Sequence, residues 1–424
     1  MSFNTISVIG LGYIGLPTAA MFASRKKSVI GVDVNQHAVD TINRGEIHIV
    51  EPDLDMIVHA AVNEGFLKAV TTPEPADAFL IAVPTPFKNN DSEVPEPDLS
   101  YIKKASEAIA PVLKKGDLVI LESTSPVGAT EQMAEWLALA RPDLSFPSPN
   151  KESAGEEADV NVAHCPERVL PGHVVRELVE NDRVIGGMTA KCSARAVELY
   201  KTFVQGECVI TNARTAEMAK LTENSCRDVQ IAFANELSII CDKLDIDVWE
   251  LISLANRHPR INILQPGPGV GGHCIAVDPW FIVSKTPEEA QIIHTARKVN
   301  DAKPQWVINK VKLAIADFLQ ANPTKTAKDV TVACYGLAFK PDIDDLRESP
   351  ALNITKQIAE LHAGNVIAVE PNIEHLPIKI NKLQLSTFEA AKSAADIHLL
   401  LVDHSNFKSR KLEVTYLIDT KGIW

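Results

Sequence analysis

Apolar residues along this chain recur in the alternating strand and helix pattern of an α/β protein. Thr5–Ile9 and Ser28–Val32 are short runs rich in β-branched residues, and the segment between them has helical periodicity through Ala23. Unbroken apolar runs are typical of parallel strands that are covered on both faces. Five later segments predict the remaining strands of a first sheet: Phe79–Val83, Leu118–Leu121, Asn161–Cys165, Arg183–Gly187 and Glu207–Thr211.

The middle of the chain is predicted to be helical. Arg214–Leu244 shows helical periodicity and contains neither Gly nor Pro, which corresponds to a helix of roughly 45 Å at about 1.5 Å per residue. Such a helix is predicted to join two domains and to carry a dimer surface. A second helix is predicted at Val248–Ala255, and Lys312–Lys328 has the pattern of a helix followed by a linker.

The strand and helix alternation resumes from about Thr326. The predicted elements are strands at Val330–Tyr335, Asn365–Val369, Ile397–Val402 and Tyr416–Ile418, with a helix at Pro350–His362. The chain is therefore predicted to be an α/β protein in which two Rossmann-like parallel-sheet domains are joined by a long central helix and a helical middle domain. The predicted boundaries are 1–212 for a first Rossmann domain, 213–305 for a central helical or dimerisation domain, and 306–424 for a second Rossmann-like domain.

A glycine turn separates the first predicted strand from the first helix. Its sequence is Gly10-Leu-Gly12-Tyr-Ile-Gly15, and Asp33 ends the second strand. In a dinucleotide-binding unit the first glycine makes the turn, the second lets the pyrophosphate approach, and the third lets helix and strand pack closely. Asp33 would accept hydrogen bonds from the adenosine ribose, which favours NAD over NADP. The pattern predicts an NAD site.

Polar residues follow three other strands of the first sheet. Thr85 and Thr124 come after predicted strands, where ligands of open parallel sheets bind, although either could instead be an ordinary helix cap. Glu167 follows a third strand and stands beside Arg168. That carboxylate could position water or substrate, or it could form a surface ion pair of little energetic value.

The stretch Pro266–Asp278 contains four glycines and two prolines before Cys274. A thiolate that a substrate can reach is a nucleophile, and glycines allow the backbone to approach a ligand closely. Taken alone, the stretch equally describes a tight turn that ends in a half-buried cysteine. The basic cluster Asn256–Arg260 leads into this loop and could meet phosphate, sugar hydroxyls or a dimer partner.

Four polar residues form a stripe along one side of the long predicted helix. Lys220 and Asn224 are spaced i, i+4 and share a face, Arg227 lies one turn further on, and Glu217 precedes them. Solvated surface is the ordinary explanation for such residues, but a largely buried helix would require partners for them. A substrate oxygen would satisfy Lys220 and Asn224 together.

Two basic residues mark the second predicted sheet. Lys340 follows the first strand of that sheet, where a phosphate would lie. Arg347 stands just before a helix, and an ion pair with one of the neighbouring acids is the alternative explanation for it.

Composition narrows the function classes. The net charge of −13 argues against nucleic acid as the main partner. The seven cysteines are scattered and include no Cys-x-x-Cys pair, so neither a disulfide framework nor a metal site is predicted. No apolar run approaches the roughly 20 residues that span a bilayer. We therefore expect a cytoplasmic protein without membrane insertion.

Several separated motifs together resemble the nucleotide-sugar 6-dehydrogenases, the UDP-glucose/GDP-mannose dehydrogenase family. The resemblance extends from residue 5 to about residue 420. Within the family, the loop before Cys274 is similar to that of the branch acting on UDP-N-acetylhexosamines. The motifs are Gly10-x-Gly12-x-x-Gly15, Ser123-Thr124-x-Pro126-x-Gly128, Pro166-Glu167, Lys220-x-x-x-Asn224, Gly271-Gly272-x-Cys274-x-x-x-Asp278, Phe339-Lys340 and Arg347-Glu348-Ser349-Pro350.

The resemblance implies a four-electron oxidation of a sugar C6 alcohol to a carboxylate with NAD as hydride acceptor. The expected substrate is UDP-N-acetyl-D-mannosamine, and the product would serve enterobacterial common antigen or a related surface polysaccharide. Cys274 would form a thiohemiacetal and then a thioester. Lys220 would act as general acid/base and, with Asn224, stabilise the oxyanion, while Asp278 and Glu167 would manage water and protons and Thr124 would orient water or cofactor.

The resemblance also implies the binding residues. Those expected to contact NAD are Gly10, Gly12, Tyr13, Ile14, Gly15, Asp33, Thr85, Thr124 and Arg347. Those expected to bind the nucleotide sugar are Arg168, Val169, Lys220, Asn224, Arg227, His258, Arg260, Gly271, Phe339 and Lys340, with Arg260 reaching the site of a neighbouring subunit in a homodimer or higher oligomer.

Three alternatives are open at this point. The same chemistry could act on UDP-glucose or UDP-N-acetylglucosamine. A two-electron hydroxyacid dehydrogenase also pairs a Rossmann domain with a helix bearing Lys-x-x-x-Asn, but it uses no cysteine. A non-catalytic NAD-binding scaffold would tolerate replacement of Cys274, Lys220 and Asn224.

Overall fold

The computed structural model describes residues 3–49, 51–89, 92–148, 157–169, 172–272, 274–377 and 380–424. The chain divides into two compact units, Met1–Glu223 and Asn224–Trp424. The three-domain division predicted above stays a prediction. Within the described ranges, no helix combines the length and the apolar composition that a membrane crossing requires.

The first unit is built on an eight-stranded sheet, counted over its described residues, with the order β3-β2-β1-β4-β5-β6-β7-β8. The elements are β1 (Thr5–Ile9), α1 (Gly15–Ser24), β2 (Ser28–Val32), α2 (Gln36–Asn43), α3 (Leu54–Asn63), β3 (Leu67–Val70), β4 (Ala78–Ile81), α4 (Ser100–Ile109), β5 (Leu118–Leu121), α5 (Ala129–Ala140), β6 (Asn161–His164), α6 (Val174–Glu180), β7 (Arg183–Gly187), α7 (Ala190–Tyr200) and β8 (Cys208–Asn212), followed by the long helix α8 (Ala213–Leu244).

Two apolar clusters, one on each face, hold this sheet between helices. Val8 and Leu80 belong to one cluster with α1 and α7, whereas Phe79 and Leu121 belong to the other with α4 and α5. Successive residues of a strand point to opposite faces, so strands buried on both faces must be apolar throughout. This requirement explains why the strands appear in the sequence as continuous apolar runs.

The last two strands of the first sheet, β7 and β8, run opposite to the strands from β1 to β6. The neighbouring strands β3 to β6 and the pair β7–β8 are parallel, but β6 and β7 pair antiparallel, with Ala163 opposite Gly187 and His164 opposite Gly186. Because of this reversal, the first residue of β7, Arg183, lies beyond the carboxyl end of β6. In a wholly parallel sheet the same residue would lie at the opposite edge.

The second unit contains a five-stranded sheet, again counted over described residues, with the order β11-β10-β9-β12-β13 and parallel pairing throughout. The elements after α8 are α9 (Val248–Ala255), α10 (Asp278–Lys285), α11 (Gln291–Ala321), β9 (Val332–Tyr335), α12 (Pro350–Leu361), β10 (Val366–Val369), β11 (Leu383–Leu385), α13 (Phe388–Ala394), β12 (Ile397–Leu400), α14 (Ser405–Lys408) and β13 (Leu417–Asp419).

The predicted fold class is confirmed, and most predicted strands lie within two residues of the observed ones. The helix and linker predicted at Lys312–Lys328 are wrong at the start of the helix, because α11 extends from Gln291 to Ala321. A proline ordinarily interrupts a helix by removing an N–H donor, but α11 continues through Pro304. The short strands β3 and β11 were not predicted.

Candidate active site

The glycine turn after β1 has no room for larger residues at two of its positions. Gly10 has φ +92°, and a β-carbon there would lie 2.7 Å from the carbonyl oxygen of Ala82. A β-carbon on Gly15 would clash with the carbonyl oxygen of Gly10. The turn is fastened to the neighbouring strand by the Gly10 N–H, which donates to Val32 O at 2.8 Å. These contacts explain two of the three glycines.

No contact with a described protein atom requires a glycine at position 12. A β-carbon on this residue would meet no described atom within 4 Å. The first turn of α1, among described residues, carries no acidic side chain and no side-chain cap on its N–H groups. Tyr13 and Ile14 lie between Gly12 and the start of α1, and the Tyr13 side chain is exposed. An open glycine before uncapped N–H groups fits a dinucleotide pyrophosphate.

Asp33 braces the same turn from the end of β2. Its Oδ2 accepts a hydrogen bond from the Leu11 N–H at 2.8 Å, and its Oδ1 accepts one from the Asn35 N–H at 2.8 Å. Each carboxylate oxygen has a further lone pair, so the half-buried carboxylate can also accept from ribose hydroxyls. Asp33 therefore suits the role that the sequence predicted for it.

Thr85 and Thr124 follow β4 and β5, the strands next to β1 on its other side. The Oγ1 atom of Thr85 is buried and has no hydrogen-bond partner among the described residues, which is unusual for a hydroxyl and fits a group that a ligand completes. Thr124 is half-buried, and the adjacent Ser123 hydroxyl donates to Val83 O at 2.6 Å. The two loops are thus tied together at the carboxyl edge of the sheet.

Glu167 is buried, so the surface ion pair considered from the sequence is wrong for this residue. Its Oε2 accepts a hydrogen bond from Arg183 Nη2 at 2.6 Å, and its Oε1 accepts from the Arg168 N–H at 2.6 Å. The Arg168 side chain instead pairs with Glu223 of α8 at 2.5 Å, and Val169 follows it in a half-buried position. The side chains of Glu167 and Arg168, which are adjacent in sequence, therefore pair with different residues and not with each other.

The loop before Cys274 is packed against the segment that follows β9. Residue 273 of this loop lies outside the described residues. A β-carbon on Gly271 would lie 2.6 Å from Glu348 O and 3.1 Å from Phe339 Cβ. Gly272 has φ +84°, and a β-carbon on it would lie 3.3 Å from the Phe339 ring. The glycines thus permit close contact between two predicted substrate-binding segments, at Gly271 and Phe339.

Cys274 stands at the entrance to α10. Its side chain is exposed, and its carbonyl oxygen accepts hydrogen bonds from the N–H groups of Val277 at 3.0 Å and Asp278 at 2.8 Å. The buried carboxylate of Asp278 accepts from Asn224 Nδ2 at 2.5 Å. The structure therefore brings Cys274, Asp278 and Asn224 into one cluster, and Lys220 lies one helical turn before Asn224 on α8.

Other predicted residues occupy exposed positions around the second unit. Arg227 follows Asn224 on α8, and His258 and Arg260 lie in the exposed turn after α9. Lys340 is exposed after Phe339. Such positions are available to a charged ligand.

Arg347 has the acidic partner that the sequence offered as its alternative explanation. Its Nε and Nη2 atoms donate to the two carboxylate oxygens of Asp345 at 2.9 and 2.6 Å. The Arg347 side chain is nevertheless exposed, and an exposed ion pair of this kind contributes little energy.

Glu217 does not belong with Lys220 and Asn224. It is buried, and its carboxylate accepts from the N–H groups of Gly128 at 2.6 Å and Thr130 at 2.8 Å and from the Thr130 hydroxyl at 2.6 Å. Glu217 thus caps the start of α5, and the stripe predicted on the long helix is divided between a structural contact and the candidate site. Burial raises the pKa of its carboxyl group.

The sequence reasoning missed two features. Glu122 and Tyr200 share Arg183 with Glu167 in the first unit. Lys421, after β13, places Nζ 3.7 Å from the position that a β-carbon on Gly267 would take. Glu122 directly precedes the motif that begins at Ser123, but the role of Arg183 is recognisable only once the direction of β7 is known.

Comparison with known proteins agrees with this geometry. Three family models of the UDP-glucose/GDP-mannose dehydrogenases match the chain: the NAD binding domain at residues 4–204, the central domain at 214–302 and the UDP binding domain at 333–424. A UDP-N-acetyl-D-mannosamine dehydrogenase of Yersinia pestis is 67% identical, with 100% of both chains covered. An NDP-N-acetyl-D-galactosaminuronic acid dehydrogenase of Ralstonia nicotianae is 63% identical, covering 100% of this chain and 97% of its own.

A solved structure of a UDP-D-ManNAc dehydrogenase from Pyrococcus horikoshii is similar over the whole chain. Its TM-score is 0.85 at 36% sequence identity, and the match covers 99% of this chain and 96% of that one. NAD is the cofactor of the first domain, whose glycine turn, Asp33 and orphaned Thr85 hydroxyl suit it. The chain is a nucleotide-sugar dehydrogenase and belongs to the UDP-glucose/GDP-mannose dehydrogenase family.

Proposed function

We propose that this enzyme oxidises the C6 alcohol of UDP-N-acetyl-D-mannosamine to the carboxylate, using Cys274 as the covalent nucleophile. The observation that carries the proposal is the cluster in which exposed Cys274 is tied through its carbonyl group to Asp278, and Asp278 to Asn224. The 67% identical relative from Yersinia pestis supports the choice of sugar. The product would supply an aminouronate for enterobacterial common antigen or a related surface polysaccharide.

Two NAD⁺ molecules, bound in turn to the first domain, would each accept one hydride, one in each of two successive oxidations. Lys220 takes the proton of the C6 hydroxyl and, with the Asn224 amide, stabilises negative charge on that oxygen. The sulfur of Cys274 bonds to C6 of the resulting aldehyde as a thiohemiacetal, which the second oxidation converts to a thioester. Covalent capture divides a four-electron oxidation into manageable steps.

Hydrolysis completes the reaction. A water oxygen attacks the thioester carbon, the carbon–sulfur bond breaks, the thiolate leaves, and the proton of the water passes to a carboxylate. Glu167 and Asp278 are the proposed carboxylates, because both are buried and hydrogen-bonded and therefore hold fixed orientations. Thr124 orients the water or the nicotinamide end of the cofactor.

The remaining predicted residues are proposed to bind the two ligands. Gly10, Gly12, Tyr13, Ile14, Gly15, Asp33, Thr85, Thr124 and Arg347 would contact NAD. Arg168, Val169, Arg227, His258, Arg260, Gly271, Phe339 and Lys340 would contact the nucleotide sugar, together with Lys220 and Asn224.

A second substrate has specific support. The 63% identical relative from Ralstonia nicotianae acts, by its name, on an NDP-N-acetyl-D-galactosamine derivative. UDP-N-acetyl-D-galactosamine differs from the mannosamine compound in configuration at C2 and C4, so it belongs in the substrate panel with UDP-glucose and UDP-N-acetylglucosamine.

The decisive experiment counts NADH formed per mole of each sugar nucleotide. Two equivalents with the mannosamine compound alone are expected. Two equivalents with a different sugar would retain the chemistry and replace the substrate, and one equivalent would contradict the four-electron reaction.

Replacement of the nucleophile tests the covalent step. Cys274→Ala is expected to bind both ligands and to lower acid production at least about 10³-fold, since covalent capture is lost. Cys226→Ala is the matched control, because Cys226 is the other exposed cysteine. Measured by quantifying released uronate, full acid production by Cys274→Ala would contradict the proposed role.

The enzyme is further proposed to be a cytoplasmic homo-oligomer. Large apolar side chains are exposed on and just after α8 and α9: Phe233, Ile240, Leu244, Ile246, Leu254 and Ile261. Exposed apolar patches commonly mark association surfaces. Sedimentation is expected to find a dimer or larger species that Phe233→Asp dissociates, and a monomeric wild-type protein would contradict this.

A further inference from the structure

A buried charged cluster in the first unit lies directly behind Glu167. Arg183 Nη2 donates to Glu167 Oε2 at 2.6 Å, and Arg183 Nη1 donates to Glu122 Oε1 at 3.2 Å. Its guanidinium stands 4.3 Å from the centre of the Tyr200 ring, and the Tyr200 hydroxyl donates to Glu122 Oε1 at 2.9 Å. Arg183 thus donates to two carboxylates, and Tyr200 donates to the more distant one, Glu122.

Four elements, β5, β6, β7 and α7, converge to build this cluster. Glu122 follows β5 immediately, Glu167 follows β6, and Arg183 opens β7. The reversed direction of β7 is what delivers Arg183 to the carboxyl edge, beside the ends of β5 and β6. Tyr200 arrives as the last residue of α7.

The charges of the cluster do not balance if both carboxylates are ionised. Arg183, Glu122 and Glu167 are all buried, at 5%, 1% and 7% exposure, and one guanidinium faces two carboxylates. Glu122 Oε2 also has no hydrogen-bond partner among the described residues. An ionised carboxylate requires partners for its oxygens when buried, whereas a protonated one is less demanding.

Burial favours retention of a proton on Glu122 near neutral pH, against the opposing effects of Arg183 and Tyr200. Burial, partly offset by Arg183 and increased by the negative charge of Glu167, raises the pKa of Glu122 to about 7. Cys165 also faces the cluster, and burial raises the pKa of its thiol well above the usual range, so this group stays neutral. Tyr200 likewise stays protonated and available as a donor.

We propose that Glu122 is a positioning residue for hydrolysis: by sharing Arg183, its protonation state sets the orientation and basicity of the Glu167 carboxylate. This proposal rests on the role proposed for Glu167. When Glu122 is neutral, Arg183 is committed to Glu167 and reduces its basicity. When Glu122 is ionised, it competes for Arg183, and Glu167 becomes a stronger base toward water.

The test separates oxidation from hydrolysis by quenched flow across a pH series. The holoenzyme is mixed with NAD and UDP-N-acetyl-D-mannosamine, NADH reports the oxidations, and released uronate reports hydrolysis. In the wild-type enzyme, hydrolysis is expected to rise with pH around the pKa of about 7 that burial gives Glu122. The oxidations provide an internal reference, because they do not require Glu167 as a base.

Two variants are expected to change this profile in different ways. Glu122→Gln, which is neutral at every pH, should lose the rise and release acid at least about threefold more slowly at roughly pH 8, while oxidation stays within about twofold. Tyr200→Phe removes a donor to ionised Glu122 and should shift the midpoint upward by about one pH unit. Glu135→Gln, an exposed glutamate on α5, is the control and should leave the profile unchanged.

A purely structural role predicts a different result. It would lower the melting temperature or all rates together without moving the midpoint of the pH dependence of hydrolysis, and that outcome would overturn the proposal. A wild-type pH profile of hydrolysis in Glu122→Gln would overturn it as well. If Glu122→Gln fails to fold, an unshifted midpoint in Tyr200→Phe would suffice to overturn it. Wild-type enzyme that forms no NADH with the sugar would instead refute the proposed function, and unchanged acid release by Glu167→Gln would remove the role on which this proposal rests.

Discussion

The two sheets of this enzyme use the same turn for different purposes. After β1, Gly10 has φ +92° and its N–H donates to Val32 O at 2.8 Å, and after β9, Gly336 has φ +89° and its N–H donates to Val369 O at 2.8 Å. In each sheet an acidic residue after the neighbouring strand accepts hydrogen bonds from the turn: Asp33 after β2 and Glu370 after β10. The second unit thus repeats the local frame of the NAD site without its Gly-x-Gly-x-x-Gly sequence.

The two acidic residues differ in how far the surrounding protein encloses their carboxylates. Asp33 is half-buried, and its carboxylate accepts hydrogen bonds from the N–H groups of Leu11 and Asn35. Glu370 accepts from the N–H groups of Leu337 at 2.7 Å and Ala338 at 3.1 Å, and buried His404 covers it with an Nε2–Oε2 contact of 3.0 Å.

Accessibility of the acid therefore distinguishes the two turns. A glycine turn with an acid is insufficient for a dinucleotide site if the acid has been enclosed by the protein. The Asp33 carboxylate in the first sheet can still contact a ribose, whereas the enclosed Glu370 carboxylate in the second sheet stabilises the fold.

The largest expected contrast comes from removing each acid. Glu370→Ala should lower the free energy of unfolding by about 3–5 kcal/mol, because several buried donors lose their acceptor together. Asp33→Ala should lower it by about 1 kcal/mol and weaken NAD binding about tenfold or more, through loss of the ribose contact. Urea unfolding and calorimetric titration with NAD measure the two effects, and equal phenotypes would refute the contrast.

Paired glycine substitutions should give a smaller contrast of the same kind. Gly336→Ala places a β-carbon against Val402 at φ +89°, so we expect about 2–4 kcal/mol of destabilisation with unchanged NAD affinity. Gly12→Ala meets no described atom within 4 Å, so we expect wild-type stability but at least about tenfold weaker NAD binding. Strong destabilisation by Gly12→Ala would show that the open space is not a ligand cradle.

Acid pH should produce the smallest effect. Burial alone would raise the pKa of Glu370, but hydrogen bonds from His404 and from the Leu337 and Ala338 N–H groups outweigh it and hold that pKa below its ordinary value. A carboxylate of this kind stabilises the fold above its unfolded pKa and loses that contribution as pH falls through the folded value.

The unfolding free energy should therefore decline below about pH 5, and Glu370→Gln should remove about 1 kcal/mol of that decline. Urea titrations at several pH values measure the slope. An identical slope in wild-type and Glu370→Gln protein would contradict the assignment.

Local features of the sequence predicted much of the fold and of the cofactor turn. The strands were recognisable because burial on both faces requires unbroken apolar runs, and Gly10, Gly12, Gly15 and Asp33 act within one strand-turn-helix unit. β11 was not recognisable because the exposed polar residue Gln384 lies at its centre, so its three residues form no apolar run. Pro304 concealed the continuity of α11.

Contacts between distant segments could not be predicted in the same way. The partnership of Glu122, Glu167 and Arg183 depends on the reversed direction of β7, which no local pattern encodes. Glu217 appeared to share a functional stripe with Lys220 but is directed to the start of α5. Helical spacing identifies residues on a shared face, but the packing around the helix determines their partners.

The burial pattern of the cysteines has a practical consequence for covalent probes. Cys226 and Cys274 are exposed, Cys208 is intermediate, and Cys165, Cys192, Cys241 and Cys334 are buried. A bulky electrophile will therefore label two principal thiols in the folded protein, and inactivation alone will not identify the modified one. A Cys226→Ser background reduces this ambiguity, so that mass spectrometry of the tagged peptide can serve as an occupancy assay for inhibitors aimed at Cys274.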